Sequence, residues 1–196
     1  MPKHAISASN LTGHLLIAMP GLDDDMFAGS VVYVCEHNDK GALGLIVNKT
    51  TDINIGHLFS RMELALPHEE LAQLPVLIGG PLHQDRGFVL HDTANSPDDE
   101  VYASTLPIRD GLAMTSSRDV MDALSRGTGP RHALMALGCA SWDEGQLENE
   151  LAANAWLTVE GDSELLFTLP PQERYARAFA LLGVDPLRIA SAAGHA

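Results

Sequence analysis

Cations are what this chain has least of. Twelve Lys and Arg stand against twenty-six Asp and Glu in 196 residues, a formal net charge of −14. Proteins that hold nucleic acid or anionic membranes do so by neutralising phosphates with Lys and Arg. Direct nucleic-acid binding and membrane attachment are therefore not expected. Cysteine is nearly absent. Cys35 and Cys139 lie far apart, outside any CxxC or zinc-ligand spacing, which argues against a disulfide framework and a structural zinc. Aromatics make up 5%, leaving the core to Leu, Val, Ile, Ala and Met. The apolar run Leu15–Met19 is short and is followed by Asp23-Asp24-Asp25, unlike a signal peptide or membrane span; the expected compartment is the cytoplasm. The phosphate loop GxxxxGKS/T, the dinucleotide loop GxGxxG, the nucleophile elbow GxSxG and the zinc helix HExxH are all missing. His83 and His91 have no third ligand at metal spacing. No cofactor and no metal are expected, and an enzyme of a common motif-bearing class is disfavoured.

What is present belongs to a globular protein: 45% hydrophobic and 19% charged residues. The length fits a single domain, 1–196, with about 1–10 and 190–196 as flexible ends. Gly13–Met19 reads as a strand. Ser30–Glu36 and Ala42–Asn48, joined by Asn38-Asp39-Lys40-Gly41, read as a β-hairpin. Ile55–Met62 carries a helical apolar face, whereas Glu69–Gln73 is too short to assign. Pro75–Ile78, Gly87–His91, Val101–Leu106 and Leu112–Thr115 read as strands, with Asp92–Glu100 a mobile polar loop. Ser117 is placed to cap a helix over Arg118–Ser125. Arg131–Leu137 reads as a strand, Glu144–Asn154 as a helix, Trp156–Val159 as a strand, and Pro170–Leu182 as a last helix stopped by Gly183. Strands beside strands with about four helices between them predict an α+β fold built on a mixed or antiparallel sheet.

The stretch Gly138–Leu157, GCASWDEGQLENELAANAWL, gathers unusual polar residues, an aromatic and a backbone break. Gln146, Glu150 and Asn154 recur every four residues and would stack along one helix edge. That edge is either a polar wall for a ligand or a set of hydrogen bonds fixing nearby loops. Trp142 is either a ligand platform or a core residue with a capped indole N–H. Arg86, in QDRGFVLH, is the best anion contact, since a guanidinium suits carboxylate or phosphate; its alternative is a salt bridge. Cys139 is expected to be inert, and Cys35 to be core. Glu36 and His37, adjacent on a strand, point to opposite faces and form no natural acid–base pair.

Four blocks carry a family resemblance. They are GHLLIAMPGLDDDMFAGSVVYVCEHNDKGALGLIVNK (Gly13–Lys49), IGGPLHQDRGFVLH (Ile78–His91), LPIRDGLAMTSSRDVMDAL (Leu106–Leu124) and Gly138–Leu157 itself. The chain resembles the AlgH/YqgE family, bacterial proteins of unassigned activity associated by name with transcriptional regulation of alginate synthesis. The resemblance implies one α+β domain in which a mixed, largely antiparallel, bifurcated sheet folds into a pseudo-barrel with helices outside. It implies a cytosolic bacterial protein and carries over no catalytic residue, cofactor or ligand. Cys139 and Ser141 stand where the family usually has Tyr and Gly, so Ser141 is not expected to need positive φ. Two functions follow. One is a non-enzymatic binding or regulatory module acting through an unidentified protein or small ligand. The other is an enzyme or sensor for a small anion, using Arg86, Gln146, Glu150 and Asn154 together with Glu150 as acid or base.

Overall fold

The computed structural model describes residues 10–93, 102–185 and 187–189. The ends expected to be flexible, apart from Asn10, residues 94–100 of the expected loop and Val101 of the expected strand lie outside these. Among the described residues ten strands form one sheet in the order β10-β1-β2-β3-β9-β6-β8-β7, with β5 on β9 and β4 on β5. In chain order they are β1 (His14–Ala18), β2 (Val31–Asn38), β3 (Gly41–Ile46), β4 (Thr50–Asn54), β5 (Pro75–Ile78), β6 (Leu82–Asp92), β7 (Thr105–Pro107), β8 (Leu112–Thr115), β9 (Ala133–Asp143) and β10 (Trp156–Glu160). Every pairing is antiparallel except β5 with β9. The sheet is thus mixed, largely antiparallel and curled into a half-barrel.

The bifurcation follows from β9. Its first half takes β5 as a parallel neighbour at Ala136 and Leu137, and its second half takes β3 from Ala140 to Asp143. The change of partner falls at Gly138, whose φ of +78° bends the strand without ending it. Gly79 holds the fork closed: its carbonyl accepts from Ile46 N–H and its N–H donates to the Leu137 carbonyl, each at 2.8 Å.

Six helices pack around the sheet among the described residues, with one further helical turn at 187–189. Four have seven residues or more: α1 (Ile55–Arg61), α3 (Asp119–Ser125), α4 (Gln146–Ala152) and α6 (Pro171–Leu181). The others are α2 (Glu69–Gln73) and α5 (Ser163–Phe167). Strand alternation explains the layers, because successive side chains leave opposite faces of the sheet. Leu15 and Ile17 enter a core with Tyr33, Leu90 and Phe179, roofed by α5 and α6. Leu16 and Ala18 enter a second core with Val32, Trp142 and Trp156, roofed by Leu147 of α4. A third core lies under α1 and α3, around Phe59, Val120 and Met135.

Several boundaries differ from the sequence reading. The strand expected at Val101–Leu106 is β7, Thr105–Pro107. Ser117 does not cap α3; Arg118 holds that position, while the Ser117 hydroxyl donates to Asp119 and accepts from the Ser104 N–H. Helix α4 is shorter at both ends than Glu144–Asn154. It starts after Gly145, which caps it with a φ of +74°, and ends before Asn154, whose own φ of +56° no helix can contain. Asn is among the few residues that tolerate this left-handed conformation beyond a helix end. Asp92 belongs to β6 instead of a loop, and its carboxylate accepts from the His132 ring and from the N–H groups of Arg131 and His132. β4 and α5 had no counterpart in the sequence reading.

Candidate functional site

The second core opens to solvent beside α4. Residues Trp142, at the end of β9, and Trp156, at the start of β10, flank the helix in sequence and meet beneath it, their rings 6.1 Å apart and edge-on. Phe27 closes the third side, 5.6 Å from Trp156 and 6.1 Å from Trp142. It is set there by Asp24, whose carboxylate accepts the backbone N–H groups of Met26 and Phe27 at 2.8 Å. Lys49 reaches across to donate to the Met26 carbonyl. Burial holds its amine below the usual lysine range, with the Asp24 charge opposing that shift.

Glu150 organises this site. One carboxylate oxygen accepts both indole N–H groups, Trp142 and Trp156, each at 2.8 Å. The other accepts the Gln146 side-chain amide at 3.0 Å, and the Gln146 carbonyl accepts the Asp143 backbone N–H at 3.0 Å. These two oxygens therefore clasp three donors, which makes Glu150 a holder of geometry. The cleft, about 300 Å³, is walled by Phe27, Ser141, Trp142, Gln146 and Trp156 and carries Asp24 and Glu150. A second tie fixes α4: the buried His37 ring accepts the Leu11 N–H at Nδ1, so its Nε2–H donates to Glu148 at 2.7 Å. Glu148's own backbone N–H and this bond hold its carboxyl below the usual range, against partial burial.

The expected site residues divide. Trp142, Gln146 and Glu150 come together. Trp142 closes the core, 4% exposed, and also walls the cleft; its indole is capped by a carboxylate, not a backbone carbonyl. Asn154 leaves the stripe because α4 stops before it, and its side chain is exposed. Arg86 lies elsewhere, on an irregular stretch of β6 between Leu82, opposite Cys139, and Gly87, opposite Leu137. Its guanidinium donates to Ser116 at 3.1 Å and lies 5.8 Å from the Phe88 ring centre. It is not among the residues lining the tryptophan cleft. Cys35 and Cys139 are both buried and unpaired. Burial pushes both thiols up, and for Cys139 it outweighs the charge of Arg86. Sequence reasoning overlooked Asp24, Phe27 and Trp156. The available signal was that the chain has only two tryptophans, placed symmetrically about one short polar helix.

A different buried polar group sets a pH dependence. His91 is 3% exposed on β6, with Nε2 2.8 Å from the Thr115 hydroxyl and Nδ1 3.0 Å from the Asp92 carbonyl. Burial lowers its pKa below 6.5, opposed by the bond to the Asp92 carbonyl and by the Asp92 charge. The fold thus favours the neutral ring. Its contribution is complete above the unfolded value of about 6.5 and is lost as pH falls from there through the folded pKa. Thermal unfolding between pH 7.5 and 5 should show wild-type protein losing stability below about pH 6.5, with a shallower loss in His91→Gln. Parallel curves for the two proteins would refute the assignment.

Comparison with known proteins extends to nearly the whole chain. A family model described as AlgH-like matches residues 15–187. A UPF0301 protein of Verminephrobacter eiseniae is 53% identical over 197 residues, covering 98% of each chain. One from a Polaromonas species is 51% identical over 187 residues, covering 95% of this chain and 96% of its own. The solution structure of the AlgH protein from Pseudomonas aeruginosa superposes with a TM-score of 0.73 at 44% identity, covering 97% and 98%. A crystal structure from Corynebacterium diphtheriae shares the fold, with a TM-score of 0.65 at 22% identity over 82% and 80%. Among the described residues no helix is long and apolar enough to cross a membrane.

Proposed function

The chain belongs to the AlgH-like family, and on that premise we propose that it is a binding module whose recognition surface is the two-tryptophan cleft. The observation that carries this reading is Glu150's hold on both indoles. It fixes an aromatic corner beside open space and occupies the Glu150 carboxylate with structure. The chemistry of the walls selects a cation. Aromatic faces attract ammonium groups, Asp24 and Glu150 add negative charge, and the net charge of −14 favours approach of a positive partner. The occupant is an alkylammonium group, from a small amine or from a lysine side chain of a partner protein. A regulatory role would pass through that partner, since this acidic surface disfavours DNA. The two buried thiols suit a reducing cytoplasm.

Both tryptophans of the chain line this cleft, so intrinsic fluorescence reports its occupancy directly. Titration with butylamine and with a lysine-bearing peptide at physiological salt should give a saturable change. Butanol and the same peptide acetylated on lysine should give at least tenfold weaker responses. A response to the peptide alone would identify a protein partner; a comparable response to the amine would identify a metabolite. Equal responses to the charged and uncharged probes would remove the reading. Tight, sequence-dependent DNA binding by the pure protein would remove the partner-mediated role.

A further inference from the structure

On the other side of the sheet, α5 leads into α6 through Phe167, Thr168, Leu169 and Pro170. Arg174, one turn into α6, folds back into the interior and is 4% exposed. A guanidinium taken out of water normally has a carboxylate beside it, because an unpaired buried charge is costly. Arg174 has none. No carboxylate among the described residues lies within ion-pair reach of it, and nothing but burial shifts its pKa, which falls to about 10. Its Nε donates to the Leu169 carbonyl and its Nη1 to the Val47 carbonyl. Among the described residues Nη2 has no hydrogen-bond acceptor.

Arg174 lines a cavity of about 430 Å³ between α6, the α5–α6 junction and strands β4, β5 and β9. The other walls are mainly apolar, including Leu77, Leu134, Phe167 and Leu169, and no acidic side chain is among them. Pro170, Pro171 and Gln172 also line it, so the first turn of the eleven-residue α6 faces the same space. A helix N-terminus adds a second favourable field for an anion. The volume lies within the range of small-ligand pockets, about 300–1,000 Å³.

We propose that this cavity binds a small carboxylic acid with an apolar tail, its carboxylate on Arg174 Nη2 and its tail among Leu77, Leu134, Phe167 and Leu169. Burial of the tail offsets the desolvation of the head, and the carboxylate supplies the counter-charge that the fold leaves out. The chain's overall negative charge does not forbid entry, because at physiological salt charges are screened beyond about 8 Å. The site is separate from the tryptophan cleft, so either can fail without the other.

The probes are octanoate, octan-1-ol and octylamine, titrated calorimetrically into the full chain. Octanoate should bind at least tenfold tighter than the alcohol, with the amine weakest, and should raise the melting temperature. Arg174→Met should abolish the preference for octanoate over octanol. Since that variant removes two ties to backbone carbonyls and can unfold, Thr168→Trp provides the second test. Thr168 is exposed at the cavity wall; the bulky ring should block octanoate binding at least tenfold while leaving the folded spectrum intact. Equal affinity for octanoate and octanol, no binding of octanoate, or undiminished binding in folded Thr168→Trp would each overturn the proposal.

Discussion

Replacing Glu150 with alanine should destabilise the protein by about 3 kcal/mol, since each buried donor left without its acceptor costs about 1–3 kcal/mol. The carboxylate serves two indole N–H groups, from tryptophans that are each 4% exposed, and one amide from Gln146. Deletion strands both indoles together. Water entering beside the half-buried Glu150 position relieves part of that cost and keeps it below a fully sealed loss. Local preference points the same way: a carboxylate in the last turn of α4 sits against the negative end of the helix dipole. A residue kept where its own helix disfavours it is held by tertiary bonds. Glu150→Gln retains one oxygen for the indoles and should lose only about 1 kcal/mol, the net worth of a typical hydrogen bond. Urea unfolding followed by tryptophan fluorescence measures both, and Glu150→Ala should also red-shift the native emission as the indoles loosen. A loss below about 0.5 kcal/mol, the size of an ordinary surface substitution, would show that the clasp carries no weight.

The same residue marks the boundary of what the sequence reveals. The Gln146–Glu150 bond was legible, because residues four apart on a helix are neighbours. The two indole bonds were not, since they cross from helix to two separate strands and depend on where those strands end. Asn154 belonged to the stripe only as long as the helix was assumed to run to it. Arg86 was legible as a candidate anion contact, but its place on an irregular stretch of β6, against Ser116, came from sheet register. In the fold, the β2–β3 hairpin was clear from its turn chemistry and β-branched strands. The bulge between Val34 and Glu36 was hidden, since it needs the partner's register. β4, TTDIN, is too polar to announce itself and is a strand because β5 lies beside it. The family resemblance, by contrast, needed only the four sequence blocks, and the family match over residues 15–187 agrees with it.

The strand legible in the sequence, Arg131–Leu137, ends before Gly138, whereas β9 runs on through it to Asp143. Here Gly138 is the bend that lets one strand take β5 and then β3 as its neighbour, and Gly138→Ala should be among the most damaging small substitutions in the protein. A Cβ at Gly138 would lie 2.5 Å from the Gly80 carbonyl oxygen and 2.9 Å from that of Leu82. Both obstacles are main chain and cannot rotate aside. The adjoining backbone is pinned as well, by the two bonds of Gly79 to β3 and β9. Relieving the clash means opening the fork. The left-handed φ alone costs about 1–2 kcal/mol for an L-residue, and the steric conflict should raise the total to about 4 kcal/mol or more, into the range reserved for disrupted cores and strained backbones. That is a large share of the 5–15 kcal/mol by which domains are typically stable, so low soluble yield is expected. Gly145→Ala provides the control. Gly145 has nearly the same φ, +74°, but nothing within 4 Å of its added Cβ, so it should lose only about 1–2 kcal/mol. Thermal unfolding of the two variants separates the conformational cost from the close approach. Equal losses would mean that the fork yields freely, and that Gly138 is required only for its φ.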